Sequence, residues 1–404
     1  MNYIINNITQ LVTCSGFSAK HGKEMSDLGI IENGAVVITR GIITYVGQTK
    51  AHLPLEEGEK YETIDAAGKA VLPGFVDSHT HFIFEGYRDE EFSWRMRGDS
   101  YMSIMQRGGG IYNTVKATQK ASFEELYKMA KVRLDKMLAM GVTTVEGKSG
   151  YGLDKETELK QLRVMKHLQH ERRVNIVSTY LGAHAVPKGY SEKSYIDFML
   201  REVLPVVREN NLAECCDIFC EKGVFSIDES ERFLLEAKEM GFKLKLHADE
   251  IVNTGGAELS VRAGALSADH LLQISEKGIN ALAGSNTVAT LLPCTAFSLG
   301  EDYASGRAMI DAGCAVALAT DFNPGSCFTY SIPLTIALAC IYMKLSPEEA
   351  VIALTINAAA AVGKADSIGS IDVGKKGDII ILEYPSYKFL PYHVGINIVE
   401  KVIN

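Results

Sequence analysis

The chain is predicted to be an α/β protein, a (β/α)8 barrel of the TIM type carrying a small β-sandwich domain formed by both chain termini. Three observations predict it. Eight apolar, strand-like runs recur through the middle of the 404 residues, helical segments separate most of them, and both ends of the chain are β-rich. Alternating strands and helices also suit a doubly wound open sheet. The barrel is preferred because five of the eight runs end on a histidine or an aspartate, and a barrel collects its chemistry at the C-terminal ends of many strands. The expected division is residues 1–69 and 361–404 for the small domain and 70–360 for the barrel.

The first part of the chain, from Ile4 to about Ala70, is a set of short extended runs separated by turns. Ala35–Ile38 and Ile42–Val46 are joined by Thr39-Arg40-Gly41, and Tyr61–Asp65 leads into Gly68. The far end has the same character, with Ile379–Glu383 after Gly377-Asp378 and a further run from Ile396 to Ile403.

The eight barrel runs are Val71–Asp77, Thr143–Glu146, Ile176–Leu181, Asp217–Glu221, Lys243–His247, Ala265–His270, Val288–Pro293 and Ala315–Asp321. Between them, Phe123–Met140 and Glu229–Met240 have apolar residues at helical spacing, and Gly141 and Gly241 stand where helices commonly stop.

Composition removes several classes. Hydrophobic residues make up 47% and charged residues 23%, enough apolar side chain to offset the chain entropy lost on folding. Forty-one Lys+Arg against 50 Asp+Glu leave a net charge of -9 and no basic face for a nucleic acid. No apolar run approaches a membrane span, and the start of the chain lacks the pattern of a secretory signal. Eight cysteines without a C-x-x-C pair suit reduced, mostly buried thiols and a cytoplasmic location.

The first run leads into His79-Thr80-His81. Residues i and i+2 of a strand point to one side, so the two imidazoles can meet one cation. The third run leads to His184, the fifth to His247-Ala248-Asp249-Glu250, the sixth to Asp269-His270 and the eighth to Asp321. With His247 and Asp321 at later strand ends, His79 and His81 form a candidate metal set, and imidazole with carboxylate fits one zinc or iron ion holding a catalytic water. Glu250 is a candidate general base or proton shuttle beside that water, or else a solvated loop acid. Asp321 can be both ligand and proton acceptor, or else part of a purely structural Asp-Phe-Asn-Pro-Gly turn. For His270 the readings are a second-site ligand, a donor behind a ligand, a transition-state stabiliser or a core histidine.

A handle for an anionic substrate follows. Arg88 can pair bidentately with a carboxylate, and Arg95, Arg97 and Arg107 are close in sequence. Gly108-Gly109-Gly110 is a flexible loop able to approach a ligand, and Tyr151 is a pocket aromatic or a surface turn. Gly147-Lys148-Ser149 is set aside as a phosphate loop because Gly141 stands one residue too far upstream. Cys215, Cys216 and Cys220 lack metal-clip spacing.

Val71-Leu72-Pro73-Gly74-Phe75-Val76-Asp77-Ser78-His79-Thr80-His81 resembles the opening signature of the amidohydrolase superfamily, and Ile368–Asp378 is similar to its return into the small domain. Gly147–Gly152, Leu181–His184, His247–Glu250 and Asp321–Ser326 together resemble the imidazolonepropionase family. That resemblance implies hydrolysis of the cyclic C–N bond of 4-imidazolone-5-propionate to N-formimidoyl-L-glutamate in histidine degradation, with one Zn or Fe ion per chain. It implies His79, His81, His247 and Asp321 as ligands. It further implies Arg88, Tyr151, His184 and Glu250 at the substrate, Asn323, Gly325 and Ser326 in a product-side loop, and a homodimer. Relatives with two metals commonly have a bridging lysine or glutamate at the fourth strand, near Glu221 and Lys222. The alternative activity is deamination of a cyclic amidine or nucleobase, which His247-x-x-Glu250 would serve equally.

Overall fold

The computed structural model describes residues 2–99, 107, 109–171 and 174–404. Along the chain come β1 (Tyr3–Val12), β2 (Ile30–Thr39), β3 (Ile42–Gln48), β4 (Glu62–Asp65) and β5 (Ala70–Pro73). Eight further strands follow: β6 (Phe75–Thr80), β7 (Val142–Lys148), β8 (Asn175–Ala183), β9 (Cys215–Cys220), β10 (Lys243–Ala248), β11 (Ser267–His270), β12 (Val288–Leu291) and β13 (Val316–Leu318). The chain ends with β14 (Ile379–Leu382) and β15 (Val399–Ile403).

β6 to β13 pair in sequence order, each parallel to the next. The sheet closes on itself just past the end of β13. Thr80 bridges Phe322, the Asp321 N–H donates to the His79 carbonyl at 3.0 Å, and the His81 N–H donates to the Phe322 carbonyl at 2.9 Å. Asp77 reinforces the seam by accepting from Thr320 N at 3.0 Å and Oγ1 at 2.6 Å. The seam therefore sets the His-x-His strand directly against Asp321.

The two ends of the chain build one seven-stranded sheet, ordered β15-β14-β5-β1-β2-β3 with β4 beside β1. It wraps around a core of its own, including Ile5, Ile8, Leu11, Val36, Ile38, Ile379 and Ile381. Alternate residues of the same strands, Val12, Leu72, Ile380 and Leu382, pack instead into the barrel's core. Period-two alternation thus fixes both the sheet and its mooring to the barrel.

The run expected at Val71–Asp77 divides at Gly74. Its first half is β5 of the small sheet, antiparallel to β14, and its second half opens the barrel. A Cβ at Gly74 would overlap the Thr143 side chain, so the crossing is possible only for glycine. The last expected run is also cut short. β13 stops at Leu318, and Asp321 lies beyond it with a left-handed backbone, φ 52°.

The helices predicted from Phe123 and Glu229 are observed as Phe123–Ala139 and Ile227–Glu239. The first opens with a capping box, the Ser122 hydroxyl accepting from Glu125 N at 3.2 Å. Gly141 and Gly241 end them at φ 87° and 88°. All eight cysteines are free and seven are buried. Among the described residues no helix is long and apolar enough to cross a membrane.

Candidate metal and active site

The expected metal ligands and His270 lie on the face of the barrel where the parallel strands end. His79 comes from β6 and His81 from the residue just past it, His247 from β10, His270 from the end of β11 and Asp321 from beyond β13. Asp249, His270, Leu271 and Asp321 all have positive φ, between 50° and 79°. Such backbone is costly for residues other than glycine, and it clusters here where the strand ends turn side chains inward.

Nε2 of His79 and Nε2 of His81 both lie 3.6 Å from Oδ1 of Asp321. The His79 and His247 rings stand 4.5 Å apart between centroids. Ligand atoms of His79, His81 and Asp321 lie within 4.8 Å of one another, as do those of His79, His247 and His270. His79 is common to both groups, so the structure gathers the other three expected ligands, and His270 with them, around His79.

The donor set fits a metal ion. Nε2 of His79, His247 and His270 and Nδ1 of His81 are buried without a hydrogen-bond partner. Burial, first of all, holds His79, His81 and His270 far below the usual imidazole range, so their rings stay neutral, and His79 and His81 each keep a lone pair for a cation. Burial likewise pushes the Asp321 carboxyl up to about 6, an acid that a cation would return to its charged form. Thr295 Oγ1 donates to Asp321 Oδ2 at 2.7 Å and leaves Oδ1 facing the histidines.

Glu250 follows β10, with its Oε1 3.5 Å from Nδ1 of His270. Burial, and then the charges of Asp321 and Glu221, push its carboxyl up to about 8. The loop carrying it is pinned from two sides. Glu221 Oε2 accepts from Ile251 N at 2.8 Å, and Asp249 accepts from the N–H groups of Thr254, Gly255, Gly256 and Ala257. Glu221 is thus committed to this loop.

On the opposite wall His184 stacks on His81 at 5.0 Å, and Tyr151 stands 5.3 Å from His184. Their turn is held by the buried Glu158 carboxylate, which accepts from Gly150 N at 3.0 Å, Gly152 N at 2.7 Å and Leu153 N at 3.0 Å. His184 Nδ1 donates to the Gly150 carbonyl at 3.1 Å, and burial lowers its ring to about 3.

Arg88 Nε donates to the buried Glu91 at 2.8 Å, which leaves its terminal nitrogens toward Gly325. A Cβ at Gly325 would overlap the Arg88 guanidinium. Asn323 Oδ1 accepts from Gly325 N and Ser326 N, both at 2.8 Å, and folds the loop over Arg88. Of the other arginines, Arg95 reaches the Gly325 carbonyl at 3.4 Å, whereas Arg97 binds Ser93 and Arg107 pairs with Asp99. The arginine cluster of the sequence is therefore two residues at the site and two away from it. Of the three glycines, Gly108 lies outside the described residues, and Gly110 opens the next helix at φ 84°.

Sequence reasoning missed the floor of the site. Glu146, Lys148, Asp217, Lys245 and Asp269 point into the barrel with no exposed surface. The legible signal was charge inside runs otherwise apolar, and Lys148 was read as a failed phosphate motif and as part of the Gly147–Gly152 resemblance, with no role of its own. Burial opposes the charge of Lys148, but Asp217 and Glu146 outweigh it and hold its ammonium above the usual range.

Comparison with known proteins shows the family. Amidohydrolase family models match residues 62–110 and 221–402. The imidazolonepropionase of Parabacteroides distasonis is 62% identical over 99% of this chain and 97% of its own length. That of Clostridium tetani is 60% identical over 100% of this chain and 96% of its own. Among solved structures, an adenosine deaminase from Xanthomonas campestris with bound zinc shares the fold at a TM-score of 0.74 and 19% identity, covering 99% of this chain and 91% of that one. With the barrel fold and near-full-length identity in accord, the chain belongs to the imidazolonepropionase family of amidohydrolases.

Proposed function

We propose that the protein hydrolyses the ring C–N bond of 4-imidazolone-5-propionate to N-formimidoyl-L-glutamate, a step of histidine degradation, with one zinc or iron ion held by His79, His81, His247 and Asp321. The observation that carries the reading is the approach to 3.6 Å of Asp321 Oδ1 by His81 Nε2 and by His79 Nε2, which is buried and has no hydrogen-bond partner among the described residues, in a chain 62% identical to an imidazolonepropionase. When bound, such an ion supplies Lewis acidity and a water acidified to near neutral pH.

The chain's own residues do the rest. Arg88, fixed at Nε by Glu91, presents its remaining N–H groups to the propionate carboxylate and so orients the ring. Tyr151 and His184 form the wall against which the ring lies, and the Asn323–Ser326 loop closes over the carboxylate end. His270 donates from Nε2 to the ring carbonyl oxygen as charge develops on it. Glu250, whose raised carboxyl exchanges a proton near neutral pH, carries one from the attacking water to the departing ring nitrogen, and Asp321 Oδ1 accepts the other.

The test is loss of imidazolonepropionate absorbance with and without chelator, with ammonia measured alongside. Chelator-sensitive loss without ammonia supports ring opening. Ammonia release would move the activity to deamination, and no loss in metal-replete protein would end the assignment. The same reading makes the enzyme a cytoplasmic homodimer, consistent with its eight free cysteines and checked by sedimentation.

A further inference from the structure

Beneath the four proposed ligands lies the layer of five charged side chains, which the proposed chemistry does not use. Glu146 and Lys148 come from β7, Asp217 from β9, Lys245 from β10 and Asp269 from β11. Charges in a barrel core are costly unless each is paired and hydrogen-bonded. Here the pairing runs through Lys148, whose Nζ lies 2.8 Å from Glu146 Oε1, 2.7 Å from Asp217 Oδ2 and 3.8 Å from Asp269 Oδ2.

The same two aspartate oxygens face the ligand histidines. Asp217 Oδ2 lies 3.0 Å from His247 Nδ1, and Asp269 Oδ2 lies 2.7 Å from His79 Nδ1. One ammonium therefore stands behind both imidazoles, a single carboxylate away from each. A carboxylate at Nδ1 favours the proton on that nitrogen and leaves the Nε2 lone pair free: at His79 it is a 2.7 Å hydrogen bond, and at His247 a 3.0 Å contact outside hydrogen-bonding geometry. Among the described residues Nε2 of both rings has no hydrogen-bond partner. The compact ammonium donates to Glu146 and Asp217 and faces Asp269 at ion-pair distance, an arrangement across three strands that a planar guanidinium would fit less well. Lys245 is differently placed. It reaches Asp269 alone, at 3.4 Å, and donates to Ser267 Oγ at 2.6 Å and the Ala361 carbonyl at 3.1 Å.

We infer that Lys148 is a positioning residue for metal capture: by holding Asp217 and Asp269 together, it orients His247 and His79 as one unit toward the ion. This rests on the metal site proposed above. It goes beyond that site by tying two ligands from different strands to one buried cation, so that they are set together.

The experiment compares the unaltered full-length protein with Lys148→Met and Lys245→Met. Zinc affinity of the metal-free proteins is read by competition with a chromophoric chelator, and ligand geometry by the visible spectrum of the cobalt(II)-loaded forms. Lys148→Met is expected to bind zinc about ten- to a hundredfold more weakly, the range for losing the groups that orient metal ligands, and to shift the cobalt bands. Lys245→Met is expected to lose less. A folded Lys148→Met with unchanged affinity, or with weaker affinity but unchanged cobalt bands, overturns the inference, as does an equal loss in Lys245→Met. If circular dichroism shows Lys148→Met unfolded, the double variant Glu146→Gln/Lys148→Met takes its place and is judged on the same two readings. It keeps the net charge of the layer while leaving Asp217 and Asp269 unbridged. Failure of the unaltered protein to bind zinc would overturn the metal site itself and this inference with it.

Discussion

Thr295 and Asp321 make a 2.7 Å hydrogen bond, Oγ1 to Oδ2, that turns the other carboxylate oxygen toward His79 and His81. Thr295 sits in the helix Pro293–Leu299 that follows β12, so one short helix selects the rotamer of a proposed ligand on the next loop. Thr295→Val keeps the shape and removes the donor. Turnover is expected to fall about ten- to a hundredfold, the scale of a misplaced reacting group, for about 1 kcal/mol of stability. Steady-state kinetics and a thermal melt on the same preparation check it.

Arg88→Ala is expected to raise KM about ten- to a hundredfold and leave metal content unchanged, because in the proposed reading its free N–H groups bind the substrate carboxylate while its Nε is held by Glu91. Equal loss of metal and substrate affinity would make Arg88 a structural residue.

Glu250→Gln keeps the shape of the loop and removes the proton carrier. Metal content is expected to stay at one ion per chain while kcat falls by about two to four orders of magnitude. Metal analysis beside kinetics separates the two effects, and near-normal turnover would remove the proposed role.

Glu221→Ala tests the loop rather than the acid. Without its carboxylate the Ile251 N–H loses its acceptor and Glu250 loses its anchor. The expected result is about a tenfold drop in kcat with metal retained, and Glu221→Gln, which keeps a carbonyl oxygen, should fall less.

Away from the site, burial pushes Asp378 up to about 6 from 3.8, against the charge of Lys376 and a 2.9 Å hydrogen bond from Asn175. Its folded-state value is raised, so folding binds a proton between these values. The stability it contributes is complete below pH 3.8 and is lost as pH rises through about 6. Asp378→Asn is expected to match the unaltered protein near pH 4 and to exceed it by about 1–3 kcal/mol above pH 6. Denaturant unfolding at the two pH values checks the sign.

The two strand ends that sequence misplaced share one cause. Apolar runs mark where backbone is buried, but not which sheet buries it. Val71–Pro73 reads as barrel strand, yet pairs with β14, whose partner residues lie some three hundred positions away in the chain. Asp321 reads as a strand end, yet takes a left-handed turn because Asp77, on the far side of the seam, accepts the Thr320 N–H and hydroxyl.

The sequence by itself determined the class, the alternation of eight strands with helices, the mixed parentage of the small domain, and the histidines and aspartates at strand ends. These are local facts of periodicity, of composition and of i, i+2 spacing. Only the tertiary structure decided which charges stand behind the ligands. Lys148, Asp217 and Asp269 come from three strands, and none belongs to a motif that reveals the others. They meet because a closed barrel points alternate residues of all its strands at one axis, where a buried charge is tolerated only when another strand supplies its partner.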